Sequence, residues 1–176
     1  MNKEYLSDLF DHMAWADSKL WSEVLNNEQA IHDAKLNKLL SHIHIVQRFY
    51  LCAWRMEPLN ASYPQFEQLS DLYNWANAYY CEARGFLESL TDAMLDEPMS
   101  SEWEEKMRRL IGPSPTVAKL GDTVMQVILH SQYHRGQANA RLRELAGVPP
   151  LIDYLVWIWI GRPSATWELK DTESIS

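Results

Sequence analysis

The chain has 176 residues, 47% of them hydrophobic and only six of them glycine, which argues against disorder and against a loop-rich all-β fold. Sixteen basic against 24 acidic residues leave a net charge of −8, so no basic face awaits a polyphosphate backbone and nucleic acid is not an expected direct partner. The length suits one domain with a sizeable core.

Residues 4–25 are predicted to form the first helix, with Tyr5, Leu9, Ala16, Leu20 and Val24 recurring at three- and four-residue steps before Asn26-Asn27 ends it. The N-terminus is amphipathic from the start and carries no apolar signal core. A second helix is expected over about 35–57, through Leu36, Leu39, Ile43, Val46, Tyr50 and Trp54, with Pro58 as its stop and Asn60 to Pro64 as a loop.

Ser70 or Asp71 is the expected cap of a third helix running to about Leu95, in which Gly85 marks close helix packing. Residues 96–115 read as a long connection, crossing from one end of the bundle to the other. Thr116 is the expected cap of the fourth long helix, which closes near Gly147. After Val148-Pro149-Pro150 a short aromatic helix occupies 151–160. Residues 1–165 are read as one bundle domain and 166–176 as a C-terminal tail, with Trp167 packing back.

The fold class that follows is all-α, a four-helix bundle with a long connection before the fourth long helix and a short C-terminal helix. Leu151 to Ile160, the longest apolar run, is too short to span a bilayer. Cys52 and Cys81 have no metal-ligand spacing and read as buried thiols of a reducing compartment. A cytoplasmic protein with no membrane partner is the expectation.

The histidines carry the chemistry. His130 and His134 stand four apart on the fourth helix, so both rings leave one face about one turn apart, a spacing that lets two imidazoles share a divalent metal. On a helical wheel His134 shares an apolar arc with Leu120, Val127, Ala138 and Leu145, and His130 sits at its edge. Met125 and Leu129 point the opposite way, as scattered surface residues or as part of a dimer contact.

On the second helix His42 falls with Leu39, Val46, Tyr50 and Ala53. This makes His42 the inward histidine and leaves His44, about 160° away, to solvent. His12 faces the interior or its rim, either lining a pocket or acting as a fourth ligand. His32 lies in a polar connection. Three inward histidines, His42, His130 and His134, can converge into an open three-nitrogen site. They can equally be three interior polar groups bonded to carbonyls or tyrosines.

Three stretches resemble a known family. The first helix has Trp15-Ala16-Asp17, similar to a Trp-Ala-Asn motif, with His12 where a tyrosine is common. The second has Leu40-Ser41-His42-Ile43 followed by Arg48-Phe49-Tyr50-Leu51. The fourth has His130, three residues, then His134-Arg135-Gly136-Gln137, ahead of Pro149-Pro150 and Asp153-Tyr154. Together they resemble the DinB-like (DinB/YfiT) family of metal-binding four-helix bundles.

The resemblance implies a divalent metal held by His42, His130 and His134, zinc or nickel foremost and iron or manganese as further options, with His12, Trp15 and Tyr50 lining a pocket. It implies either an enzyme that activates a low-molecular-weight thiol or water, or a non-catalytic, stress-associated homodimer that binds a metal or small ligand. Gln47 stands near where the family often has a carboxylate. Arg135 is expected in a salt bridge, Gly136 at a close helix approach, and Gln137 in a bond to a neighbouring helix.

Overall fold

The computed structural model describes residues 2–58, 64–99, 108–110, 112 and 116–167. Four long helices dominate it: α1 (Lys3–Leu25), α3 (Ala34–Trp54), α4 (Leu69–Ser89) and α6 (Leu120–Glu144). Short helices α2 (Glu28–Ile31), α5 (Asp92–Leu95) and α7 (Tyr154–Trp159) fill in between and after them. Strands β1 (Pro98–Met99) and β2 (Ala118–Lys119) pair antiparallel. The all-α expectation holds, with this two-residue ladder as a small addition.

Local chemistry sets the ends. Asn2, Asn27, Asp33 and Thr91 cap α1, α2, α3 and α5 by accepting backbone N–H bonds, which satisfies donors that the first turn leaves free. α3 stops before Pro58, with Met56 in the left-handed region at φ 54°. α4 ends at Ser89, not near Leu95, because Thr91 opens a separate helix. α6 starts at Leu120, where Asp122 accepts the Lys119 N–H at 3.0 Å, and not at Thr116. Its other end turns through Ala146 (φ 56°), and Gly147 N–H closes on the Leu142 carbonyl at 2.9 Å.

Two apolar clusters occupy the two halves of the bundle. One gathers Phe10, Met13, Leu51, Trp54, Ala83, Leu87, Val124 and Ile128. The other gathers Leu20, Trp21, Leu36, Leu40, Leu72, Ala76, Ala138 and Leu142. Following each helix from cluster to cluster gives its direction: α1 and α6 run one way, α3 and α4 the other. Trp54 and Leu69 therefore stand at opposite ends of the bundle.

This corrects the expected crossing over 96–115. Leu95 and Val124 belong to the same cluster, and β1 pairs with β2, so that connection leaves and returns at one end. Its middle around Trp103, the Asn60–Tyr63 part of the predicted loop, and the tail from Glu168 lie outside the described residues. Trp167 does pack back, its ring centroid 5.3 Å from that of Tyr80 and 5.5 Å from that of Tyr73. Gly85 and Gly136 do not mark close approaches; a Cβ at either meets nothing within 4 Å. Cys52 is half-buried and Cys81 exposed, and both are free thiols, a correction to the buried pair expected.

Candidate metal centre

Between the two apolar clusters lies a polar layer made of Asp17, His44, Gln47, Tyr80, Ser131 and Arg135, every one of them buried. The hydrogen bonds fix its polarity. Trp21 Nε1–H donates to His44 Nε2 at 2.9 Å, so His44 carries its proton on Nδ1 and donates to Gln47 Oε1 at 2.7 Å. The Gln47 amide nitrogen then faces Asp17 Oδ2 at 3.0 Å, Tyr80 Oη at 3.1 Å and Ser131 Oγ at 3.1 Å. Tyr80 also donates a short hydrogen bond to Asp17.

Arg135 supplies the counter-charge. Its Nη1 lies 2.5 Å from Asp17 Oδ1, and its Nη2 donates to Gln132 Oε1. Burial pushes the Asp17 carboxyl up, but the Arg135 charge and the hydrogen bonds from Tyr80 and Arg135 outweigh it and hold the group below its ordinary value. Burial keeps His44 neutral, lowering its pKa against the pull of Asp17.

This layer overturns the predicted faces of α3. His44, expected in solvent, is 1% exposed in the core, and His42, expected inward, is the exposed one. The buried stripe of α3 is Leu36, Leu40, Ile43, His44, Gln47, Leu51 and Trp54. Two polar members hide it from a hydropathy reading. The stripe of α6 likewise runs Val124, Val127, Ile128, Ser131, Arg135, Ala138 and Leu142, with His130 and His134 half-buried beside it. Of the two outward α6 residues expected, Leu129 is exposed, while Met125 packs against the core.

Although their inward sense was wrong, His42, His130 and His134 do meet. α3 and α6 make the most extensive helix pairing in the bundle and present the three rings along the outer side of their seam. One ring nitrogen from each histidine lies within 4.8 Å of the other two. His130 Nε2 and His42 Nε2 are 3.2 Å apart, and the His134 ring centroid lies 4.5 Å from that of His42 and 4.4 Å from that of His130.

Two facing lone pairs at 3.2 Å repel, so a proton or a cation belongs between them. Metal–nitrogen bonds of ~2.0–2.1 Å at tetrahedral angles set two nitrogens about 3.3 Å apart, close to the spacing found. The donor set fits a divalent metal of borderline softness and leaves a coordination position for another ligand. Burial, then the neighbouring imidazoles, depress His130 to about 4. Burial and then His134 also lower His42. Both rings are thus neutral, as ligation requires, at ordinary pH.

His134 has two close neighbours that the sequence reading did not place there. Gln137 Oε1 lies 2.8 Å from His134 Nδ1, and the exposed Tyr133 ring packs edge-on at 4.9 Å between centroids. The three-residue step from His134 to Gln137 along one helix was the available signal. Gln137 thus bonds its own helix rather than a neighbouring one, while Arg135 forms the expected salt bridge.

The other predicted site residues lie elsewhere. His12 donates from Nε2 to the Ile152 carbonyl at 2.8 Å and packs among Trp15, Tyr154 and Trp157, beside α7. Tyr50 packs on Phe49 and Trp54, about 12 Å along α3 from His42. A cavity of about 560 Å³ opens between α1, α4 and the 157–167 segment, lined by Asp11, Cys81, Arg84, Trp157 and Trp167. None of the three clustered histidines lines it, and it offers no comparable set of ligand atoms. The chemistry therefore points to the α3–α6 seam.

No described helix is long and apolar enough to cross a membrane. No curated protein matches the sequence. The DinB family model, by contrast, matches residues 1–166, which takes in all four long helices and every histidine. The chain belongs to the DinB family.

Proposed function

We propose that the protein is a metal-dependent enzyme of the DinB type, with His42, His130 and His134 holding one divalent ion that activates a low-molecular-weight thiol or water. The observation carrying this reading is the convergence of three imidazole nitrogens from two helices within 4.8 Å, with two of them 3.2 Å apart. A bound zinc or nickel ion would act as a Lewis acid on a ligand in the remaining position. Iron and manganese are further options for the same donor set.

A thiol is the favoured substrate because coordination alone makes a thiol acidic enough to serve as a nucleophile at neutral pH. Water activation for hydrolysis is better served by a general base, and the group bonded to His134 is the Gln137 amide, which is not a base. We place the protein in the cytoplasm, which suits two free cysteines. Leu129 and Tyr133, both exposed and one turn apart on α6, suit the face of a homodimer. That surface is also the observation favouring a second reading, a non-catalytic metal-binding dimer.

The test combines metal analysis with turnover. Protein purified without a metal-affinity tag is expected to hold one metal per chain and to conjugate some member of a panel of thiols to an electrophile, with both properties lost in His134→Ala. Metal retained by that variant would sink the site. Bound metal without metal-dependent turnover across the panel would select the binding reading.

A further inference from the structure

The ring of His134 has two nitrogens, and only one can bind a metal while the other keeps its proton. Which one is free depends on the partner of the other. Gln137 Oε1, an acceptor, sits 2.8 Å from His134 Nδ1. An acceptor there holds the proton on Nδ1 and leaves the Nε2 lone pair free. His42 and His130 already face each other through their Nε2 atoms. Among the described residues neither of those rings has a comparable side-chain acceptor on its Nδ1.

We infer that Gln137 is the positioning residue of this site, fixing the Nδ1–H tautomer and ring orientation of His134 so that its Nε2 is presented with those of His42 and His130. This rests on the metal reading proposed above. The partner is built into the helix: Gln137 follows His134 by three residues, so α6 sets the separation of their side chains without help from a loop. A glutamine also differs from a carboxylate in a useful way. It accepts the Nδ1 proton without adding negative charge, so three neutral imidazoles leave the full charge of the ion to act on its remaining ligand.

Gln137 is exposed, and its removal should leave the fold intact. Histidine-labelled, metal-free protein at pH 8 allows the tautomer to be read by NMR. In the wild type His134 is expected as Nδ1–H. Gln137→Ala is expected to lose that preference, and Gln137→Glu, which accepts the same proton, to restore it. Zinc affinity, measured by competition with a chelator, is expected to fall about 10–100-fold in Gln137→Ala and to recover in Gln137→Glu, with unchanged melting temperatures.

A wild-type His134 found as Nε2–H overturns the inference, since the amide would then be donating. Wild-type zinc affinity in a folded Gln137→Ala protein overturns it as well. Wild-type protein that shows the Nδ1–H tautomer yet takes up no zinc overturns the metal reading and the purpose assigned to Gln137, while the hydrogen bond itself stands.

Discussion

Arg135 and Asp17 form an ion pair at 2.5 Å in the middle of the bundle, each side chain 2% exposed. Neither charge has water to fall back on, so removing one strands the other. Gln47 and Tyr80 also direct hydrogen bonds at Asp17, so the carboxylate of α1 is the point where donors from the three other long helices end.

Arg135→Ala or Asp17→Ala is therefore expected to cost about 3–5 kcal/mol, the usual penalty for an orphaned buried charge. Urea denaturation measures it. A loss below about 1 kcal/mol, typical of a solvated surface pair, would contradict the buried layer.

Acid should act on this structure in two stages, the first through the buried histidines His12 and His44 and the second through Asp17. Burial lowers the His12 pKa below its ordinary 6.5, opposed by the Ile152 carbonyl; Arg135 lowers it further, while Asp17 and Asp153 raise it. The unfolded chain then takes up the proton first. The stability His12 contributes is whole above about pH 6.5 and declines as pH falls below that value towards the folded pKa. Asp17, held below 3.8, contributes stability that is complete above that pH and lost as pH falls through its folded value.

Comparing urea midpoints of metal-free protein at pH 7.5 and 5.5 tests the first stage. His12→Gln keeps a donor for the Ile152 carbonyl and should show a smaller difference than the wild type. An equal difference would remove His12 from the account.

Glycine positions yield signs as well as sizes. A Cβ at Gly85, inside α4, meets nothing within 4 Å, so Gly85→Ala should stabilise by about 0.5–1 kcal/mol through chain entropy. A Cβ at Gly147 would meet Leu142 Cδ1 at 2.5 Å and Asn27 Nδ2 at 2.9 Å, so Gly147→Ala should destabilise. Ala146 holds φ at 56°, and Ala146→Gly should relieve about 1 kcal/mol. Thermal melts of the three variants check the pattern, and a stabilising Gly147→Ala would contradict the packing of the α6 terminus.

Much of this was legible in the residues. The four long helices follow from the periodicity of Leu20, Leu36, Leu72 and Leu145 with their neighbours, and the identity of the three clustered histidines from their spacing and motifs. What hydropathy could not read was the direction those histidines face. His44, Gln47, Ser131 and Arg135 occupy core positions that a hydrophobicity pattern assigns to water, and this displaced the apparent inner faces of α3 and α6. The layer is possible only because each of these side chains finds a partner on another helix, a fact absent from any single helix. The direction of the chain between helices was hidden for a similar reason, since it depends on which ends share a cluster.

The two histidines of α3 give the sharpest test of the whole account. His42 is exposed and lies in the three-ring cluster, whereas His44, two residues later, is buried between Trp21 and Gln47. Metal content and urea stability should be measured side by side for His42→Ala and His44→Ala. We expect His42→Ala to lose the metal with nearly wild-type stability in the metal-free state. His44→Ala should keep one metal per chain while losing about 2 kcal/mol or more, through unsatisfied partners and a cavity. Metal retained without His42 and lost without His44 in a folded protein would contradict the site.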